Sequence, residues 1–238
     1  MVGMSKAKAE NRALPKRFYT AALARDGRIW LDGKELKTQG RKPLILPDAL
    51  ADAVAAEWQA QETHIDPEHM PLTRLANVAI DRAAIDRDAW LATIAAFGET
   101  DLLCYRDPAI ADRQASQFDP VLAWAAATHG IELACTESVL PLAQPATSQA
   151  ALTALLQTAS DSELTGLAML VPLLGSAVLG VAVWQGQVPV EAAIAMARLD
   201  ETAQAERWGP DDEAEALHAQ KQKEIRAAAF FLTFKQLN

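Results

Sequence analysis

Cysteine is nearly missing from this chain of 238 residues: Cys104 and Cys135 are the two it has. Two unpatterned thiols exclude a disulfide framework and a multi-cysteine zinc site, and a reducing cytoplasm is the simplest compartment. Both read as space-filling core residues. No dinucleotide fingerprint and no Walker loop occur, so nucleotide binding has no support. Ser176 follows a glycine but lacks the strand-to-helix setting of a nucleophile elbow, which leaves it a packing role. Lys and Arg are absent throughout residues 114–197. The amino terminus lacks the apolar stretch of a secretory signal, and Glu10 fits poorly in an organelle transit peptide, so residues 1–16 read as a disordered tail.

The stretch without positive charge holds the most apolar run in the chain. Residues 164–184, LTGLAMLVPLLGSAVLGVAVW from Leu164 to Trp184, carry no charged side chain. A bilayer core asks for roughly 20 such residues, so a membrane-associated protein is one reading. Against it stand the missing basic anchors at the flanks and the internal Pro172, Gly175 and Gly180. These features favour a single rod buried at the centre of a helical domain, with no integral membrane insertion.

The net charge of −9 conceals an asymmetry. Residues 1–42 hold 11 Lys and Arg against 4 acids, a net of +7, while residues 43–238 hold 11 against 27, a net of −16. An acidic bulk argues against a nucleic-acid partner, because a phosphate backbone needs a basic surface. The basic part reads as solvated strand edges.

Two Asp-Gly pairs, Asp26-Gly27 and Asp32-Gly33, supply the positive φ angles of tight hairpin turns. They predict a small antiparallel sheet with strands at 17–24, 28–31, 34–37 and 43–46. A helix then opens with Asp48 as N-cap and lays Leu50, Val54 and Trp58 on that sheet. The proline-broken loop at 63–71 is the predicted domain boundary, with an α+β domain at 17–70 and an all-α domain at 71–238. Helices are predicted at 72–85, 88–97 and 117–128, the last stopped by Gly130. An extended connector at 132–145 follows, then helices at 148–158, 162–186, 189–208 and 211–236.

One loop cluster could carry chemistry. His64, Asp66, Glu68 and His69 are residue types that a metal-dependent hydrolase uses, yet the broken loop does not stack the two histidines on one helical face. The competing reading is a surface loop that docks the two domains. The second informative stretch is 198–215, RLDETAQAERWGPDDEAE, where seven acids surround Arg207 and an exposed-looking Trp208. It fits either a solvated helix corner or a docking surface, since Trp and rim charges dominate many interfaces.

A series of short motifs adds to this. RFY, LDGKELKT, PLILP, VAAEWQAQ, IDPEHMPLTRLANVAID and LDETAQAERWG stand in that order from Arg17 to Gly209. Together they resemble the F1-ATPase assembly chaperones that attend the alpha subunit, in mitochondria and in some bacteria. The resemblance implies a non-enzymatic protein without cofactor, metal or small-molecule substrate, which holds unassembled alpha subunit until it pairs with beta. It implies a bacterial, cytoplasmic setting and a small α+β domain followed by a helical one. Glu201 and Glu206 match acidic positions that matter in the family. Gln204, Trp208 and Asp212 are expected to join them on the partner-binding surface, with Trp58, Asn77 and Gly209 as structural residues. The chain departs from mitochondrial relatives beyond Gly209, where it carries Asp211-Asp212-Glu213 and then Glu215.

Overall fold

The structure is a computed structural model that describes residues 14–138, 140–209 and 211–237. Most of the expected tail, residues 1–13, lies outside these. Within the described part, Lys16 bridges antiparallel to His64, and the Ile65 N–H donates to the Pro15 carbonyl at 2.8 Å.

Strands β1 (Ala22–Arg25), β2 (Arg28–Leu31) and β3 (Lys34–Glu35) form an antiparallel sheet in that order. Both Asp-Gly pairs turn as expected, with φ of 52° and 69° at Asp26 and Gly27 and 45° and 79° at Asp32 and Gly33. Residues 17–21 are not strand. The Asp32 carboxylate takes the Thr20 and Ala21 N–H groups, each at 2.8 Å, in place of a ladder. Residues 43–46 also fall short of a strand: Pro43 makes one bridge to Lys37 and has no N–H to extend it. Leu44 and Leu46 are nonetheless buried, together with Ala22, Ile29 and Leu31.

Helix α1 (Asp48–Gln59) covers that face with Leu50, Ala51, Val54 and Ala55. Pro47, not Asp48, is its N-cap; Asp48 sits in the first turn, where its charge favours the dipole without closing a capping hydrogen bond. Trp58 is half-buried, its ring 5.6 Å from that of Tyr19.

Helices α2 (Pro71–Asp81) and α3 (Ala83–Ala96) break at Arg82, several residues before the expected gap. The end of α2 is tied down: the Asp81 carboxylate accepts from the Thr38 hydroxyl at 2.8 Å and from the Gly40 N–H at 2.7 Å. A turn at Leu102–Cys104 leads to α4 (Ala111–His129), which starts six residues earlier than its apolar pattern predicts and stops at Gly130, φ 68°. The connector is irregular, and α5 (Ala146–Gln157) follows it.

The apolar run is not one rod. It forms α6 (Asp161–Leu174) and α7 (Ala177–Trp184), separated by Gly175 at φ 70° and by Ser176, whose hydroxyl caps the Leu179 N–H at 2.9 Å. A left-handed residue followed by a cap ends one helix and starts another, which hydropathy does not register. Leu164, Leu167, Leu170, Val171, Leu179 and Val181 are buried in the core. Among the described residues, no helix is long and apolar enough to cross a membrane. The two halves approach so closely that a Cβ on Gly180 would lie 2.5 Å from Val171.

Helices α8 (Val190–Ala197) and α9 (Leu199–Trp208) replace the single helix expected over 189–208, and Pro189 stands at the cap position just before the first turn. Helix α10 (Asp212–Leu232) begins after the Asp211 cap and packs along α6 with Ile225, Ala228, Phe231 and Leu232 buried. It ends short of the expected 236. The fold is therefore α+β: a small amino-terminal sheet with its helix, followed by a larger helical part.

Candidate functional site

Helix α9 fully buries one residue, Leu199, and half-buries Asp200, Thr202, Ala203 and Ala205. Glu201, Gln204 and Trp208 fall at i, i+3 and i+7 and so share one face, and all three are exposed. Trp208 is 73% exposed. The Arg207 guanidinium lies 5.4 Å from the centre of its ring.

Glu206 points elsewhere. Its carboxylate takes both contacts from Arg113 Nη1 on α4, at 3.1 and 2.8 Å, so it anchors α9 to its neighbour while remaining at the surface. Behind the helix, Gln114 Nε2 donates to Asp200 at 2.8 Å, and burial pushes the Asp200 carboxyl up. Arg198, at the α8–α9 break, donates to Glu215 on α10 at 2.7 Å. Asp212 is exposed in the first turn of α10, beyond Gly209 at φ 93° and the Asp211 cap. The five predicted partner-binding residues are thus all at the surface, with Glu206 diverted to an ion pair. Arg113 and Gln114, which hold the corner in place, lie far away in sequence and carry no local signal.

The hollow beside Trp208 is lined by Asp107, Ile110, Asp200, Gln204 and Arg207 and measures about 60 Å³. That is well below the roughly 300 Å³ at which small-molecule sites begin.

A more apolar groove runs between α2, α3, α6 and α10. It is lined by Leu75, Val78, Trp90, Met169, Pro172 and Leu173, has a volume of about 450 Å³, and is rimmed by Arg74 and Glu224 paired at 3.1 Å. Residues from four separated segments build it, which sequence reading could not assemble.

The loop that suggested metal chemistry is organised differently. Asp66 caps the turn Pro67–His69 through the Glu68 N–H at 3.0 Å and pairs with His69 Nδ1 at 2.9 Å. His64 Nδ1 is 3.0 Å from the Thr63 hydroxyl instead. Among the described residues, no group of three or more His, Cys, Asp and Glu side chains could hold a metal ion.

The motif residues around this loop are structural joints. Glu57 accepts three hydrogen bonds at the start of α2, from the Leu72 N–H, the Thr73 N–H and the Thr73 hydroxyl. Burial raises its carboxyl despite them. Gln61 spans Glu57 and Asp66, donating to the Glu57 carbonyl at 3.2 Å and accepting the Asp66 N–H at 2.7 Å. Asn77 donates to the Thr73 carbonyl at 2.7 Å and accepts the Gln39 N–H at 3.0 Å. These side chains stitch the sheet and α1 to the helical part, where no periodic pattern announces them.

Comparison with known proteins finds relatives over almost the whole chain. The family model for ATP12 chaperone protein matches residues 16–126. Atp12 from Paracoccus denitrificans is 39% identical, and the match covers 93% of this chain and 99% of that one with a TM-score of 0.81. An Asp-to-Lys mutant of the Paracoccus protein matches at 39% identity over 93% and 98% of the two chains, TM-score 0.80. The Atu1473 protein from Agrobacterium tumefaciens matches at 39% identity over 94% and 87%, TM-score 0.84. At 39% identity over 93% of its length and a TM-score of 0.81, the chain belongs to the ATP12 chaperone family.

Proposed function

We propose that this chaperone binds the unassembled alpha subunit of F1-ATPase in the bacterial cytoplasm and keeps it from aggregating until it pairs with beta. The observation that carries the reading is Trp208, 73% exposed beside Glu201 and Gln204 on a helix whose other side is anchored. A large aromatic group held in water, rimmed by charge, is what a binding hot spot looks like before its partner arrives. Glu201, Gln204, Trp208 and Asp212 form the contact surface, and Glu206 sets the angle of α9 through Arg113. In this reading residues 17–70 and 71–238 are the two domains, and the joints at Glu57 and Asn77 hold them in register.

The mechanism needs no chemical step. An unpaired subunit exposes apolar area meant for its neighbour, and patches of that size drive aggregation. A chaperone with a small, partly charged contact covers the patch, and the larger subunit contact displaces it by dissociation. Neither ATP nor a metal takes part in that exchange.

The experiment is a mixing assay with purified alpha subunit and no nucleotide. The chaperone is expected to keep the subunit in the supernatant, and Glu201→Lys to weaken this while leaving the fold intact. A chaperone that leaves the subunit to precipitate would overturn the reading.

A further inference from the structure

The two cysteines, expected to be core filler, are a pair with unequal access. The Thr136 N–H donates to the Cys104 carbonyl and the Arg106 N–H to the Thr136 carbonyl, both at 2.8 Å, which pairs Tyr105 with Thr136 as parallel neighbours. In a parallel bridge the residues before the paired ones lie beside each other, which sets Cys104, at the end of its turn, next to Cys135. The Cys135 thiol reaches the carbonyl of Leu103, the residue before Cys104, with Sγ 4.0 Å from the oxygen. Parallel neighbours stand roughly 5 Å apart, inside the Cα separation that a disulfide bridges. Cys104 is fully buried and Cys135 is exposed. The surface side is also polar: Arg106 Nη2 reaches Cys135 Sγ at 3.7 Å while holding Asp119 at 2.6 Å.

We propose that Cys135 and Cys104 form a reversible oxidation site for hydroperoxides. The exposed Cys135 sulfur attacks the peroxide; an S–O bond forms, the O–O bond breaks, and the remaining oxygen takes the Cys135 thiol proton and leaves as water or alcohol. Sulfur is oxidised by two electrons and the peroxide is reduced by two. The Cys104 sulfur then attacks Cys135; the S–S bond forms, the S–O bond breaks, and the hydroxyl departs with the Cys104 proton as water. A small-molecule dithiol reverses the step by exchange.

The two thiols divide the labour by burial. Burial pushes the Cys104 thiol up and keeps it out of reach of the oxidant, so the exposed Cys135 reacts first. The link would fasten the connector to the turn at Leu102–Cys104, whose Leu102 N–H holds the Gly175 carbonyl at the α6–α7 break, 3.1 Å away. Oxidation would therefore stiffen the centre of the helical part.

The test treats the full-length protein with hydrogen peroxide and reads the intact mass and a peptide map. The expected product has lost two hydrogens, carries a Cys104–Cys135 cross-link, melts at a higher temperature, and reverts with dithiothreitol. Cys135→Ser, a change at the surface, should leave the mass unchanged. Cys104→Ser should instead gain one oxygen at Cys135, captured by dimedone. Wild-type protein that gains oxygen at Cys135 without the link, or whose thiols both remain free, overturns the proposal, and this readout stands even if Cys104→Ser does not fold.

Discussion

Glu57 grips Thr73 twice with a single oxygen: its Oε2 accepts the backbone N–H at 2.8 Å and the side-chain hydroxyl at 2.7 Å. With the Leu72 N–H on the other oxygen, one side chain of α1 satisfies the open donors at the start of α2. Removing it strands those donors in a half-buried joint. Glu57→Ala is expected to cost about 2–3 kcal/mol of stability, measured by urea unfolding, without touching the α9 surface.

Trp58 separates packing from charge. Its indole Nε1 has no hydrogen-bond partner among the described residues, so Trp58→Phe forfeits only area against Tyr19 and should cost about 1–2 kcal/mol. Trp58→Arg places an unpaired cation between sheet and helix, and is expected to cost about 3 kcal/mol or more. Thermal melts of the two variants give the comparison.

Asp101 makes stability depend on pH. It is fully buried, accepts from the Leu103 and Val178 N–H groups at 3.0 Å, and burial pushes its carboxyl up to about 6. An aspartate in the unfolded chain ionises near pH ~4, so between about pH 4 and 6 the folded state holds a proton that the unfolded state has lost. Its contribution is therefore complete below about pH 4 and is lost as pH rises through about 6, by on the order of 2–3 kcal/mol. Unfolding free energies measured across that window should fall with pH in the native sequence and be flatter in Asp101→Asn.

At the acidic corner, stability and binding should come apart. Trp208→Ala removes an exposed ring and is expected to shift stability by less than ~0.5 kcal/mol, while lowering affinity for the alpha subunit about tenfold or more. Glu206→Ala breaks an ion pair with Arg113 whose two side chains are 58% and 40% exposed, worth at most about 1 kcal/mol. Binding isotherms and melts on both variants test the split.

Much of this fold could be read from residues alone where the cause is local. Asp26-Gly27 and Asp32-Gly33 announce their turns, Gly130 announces a stop, and the acids at 211–213 announce a helix start. Trp208 and Glu201 were legible as exposed because no apolar pattern claims them. The breaks at Arg82, Gly175 and Arg198 were not, since tertiary ties such as Asp81 to Thr38 leave hydrophobic periodicity unchanged across them. Glu57 and Gln61 stood out as a motif, but their work as a joint appears only when α2 arrives beside them. Cys135 looked like core filler because nothing nearby in sequence shows that its backbone neighbour is Cys104.

The close seat of Gly180 on Val171 bears on how this chaperone itself comes to be made. Because α6 folds back on α7, the chain's stickiest segment meets its first shelter within a dozen residues, long before α10 has left the ribosome. Contacts so near in sequence form early, and they shorten the time for which oily surface is on offer to other nascent chains. A member of a chaperone family thus begins by sheltering its own midsection.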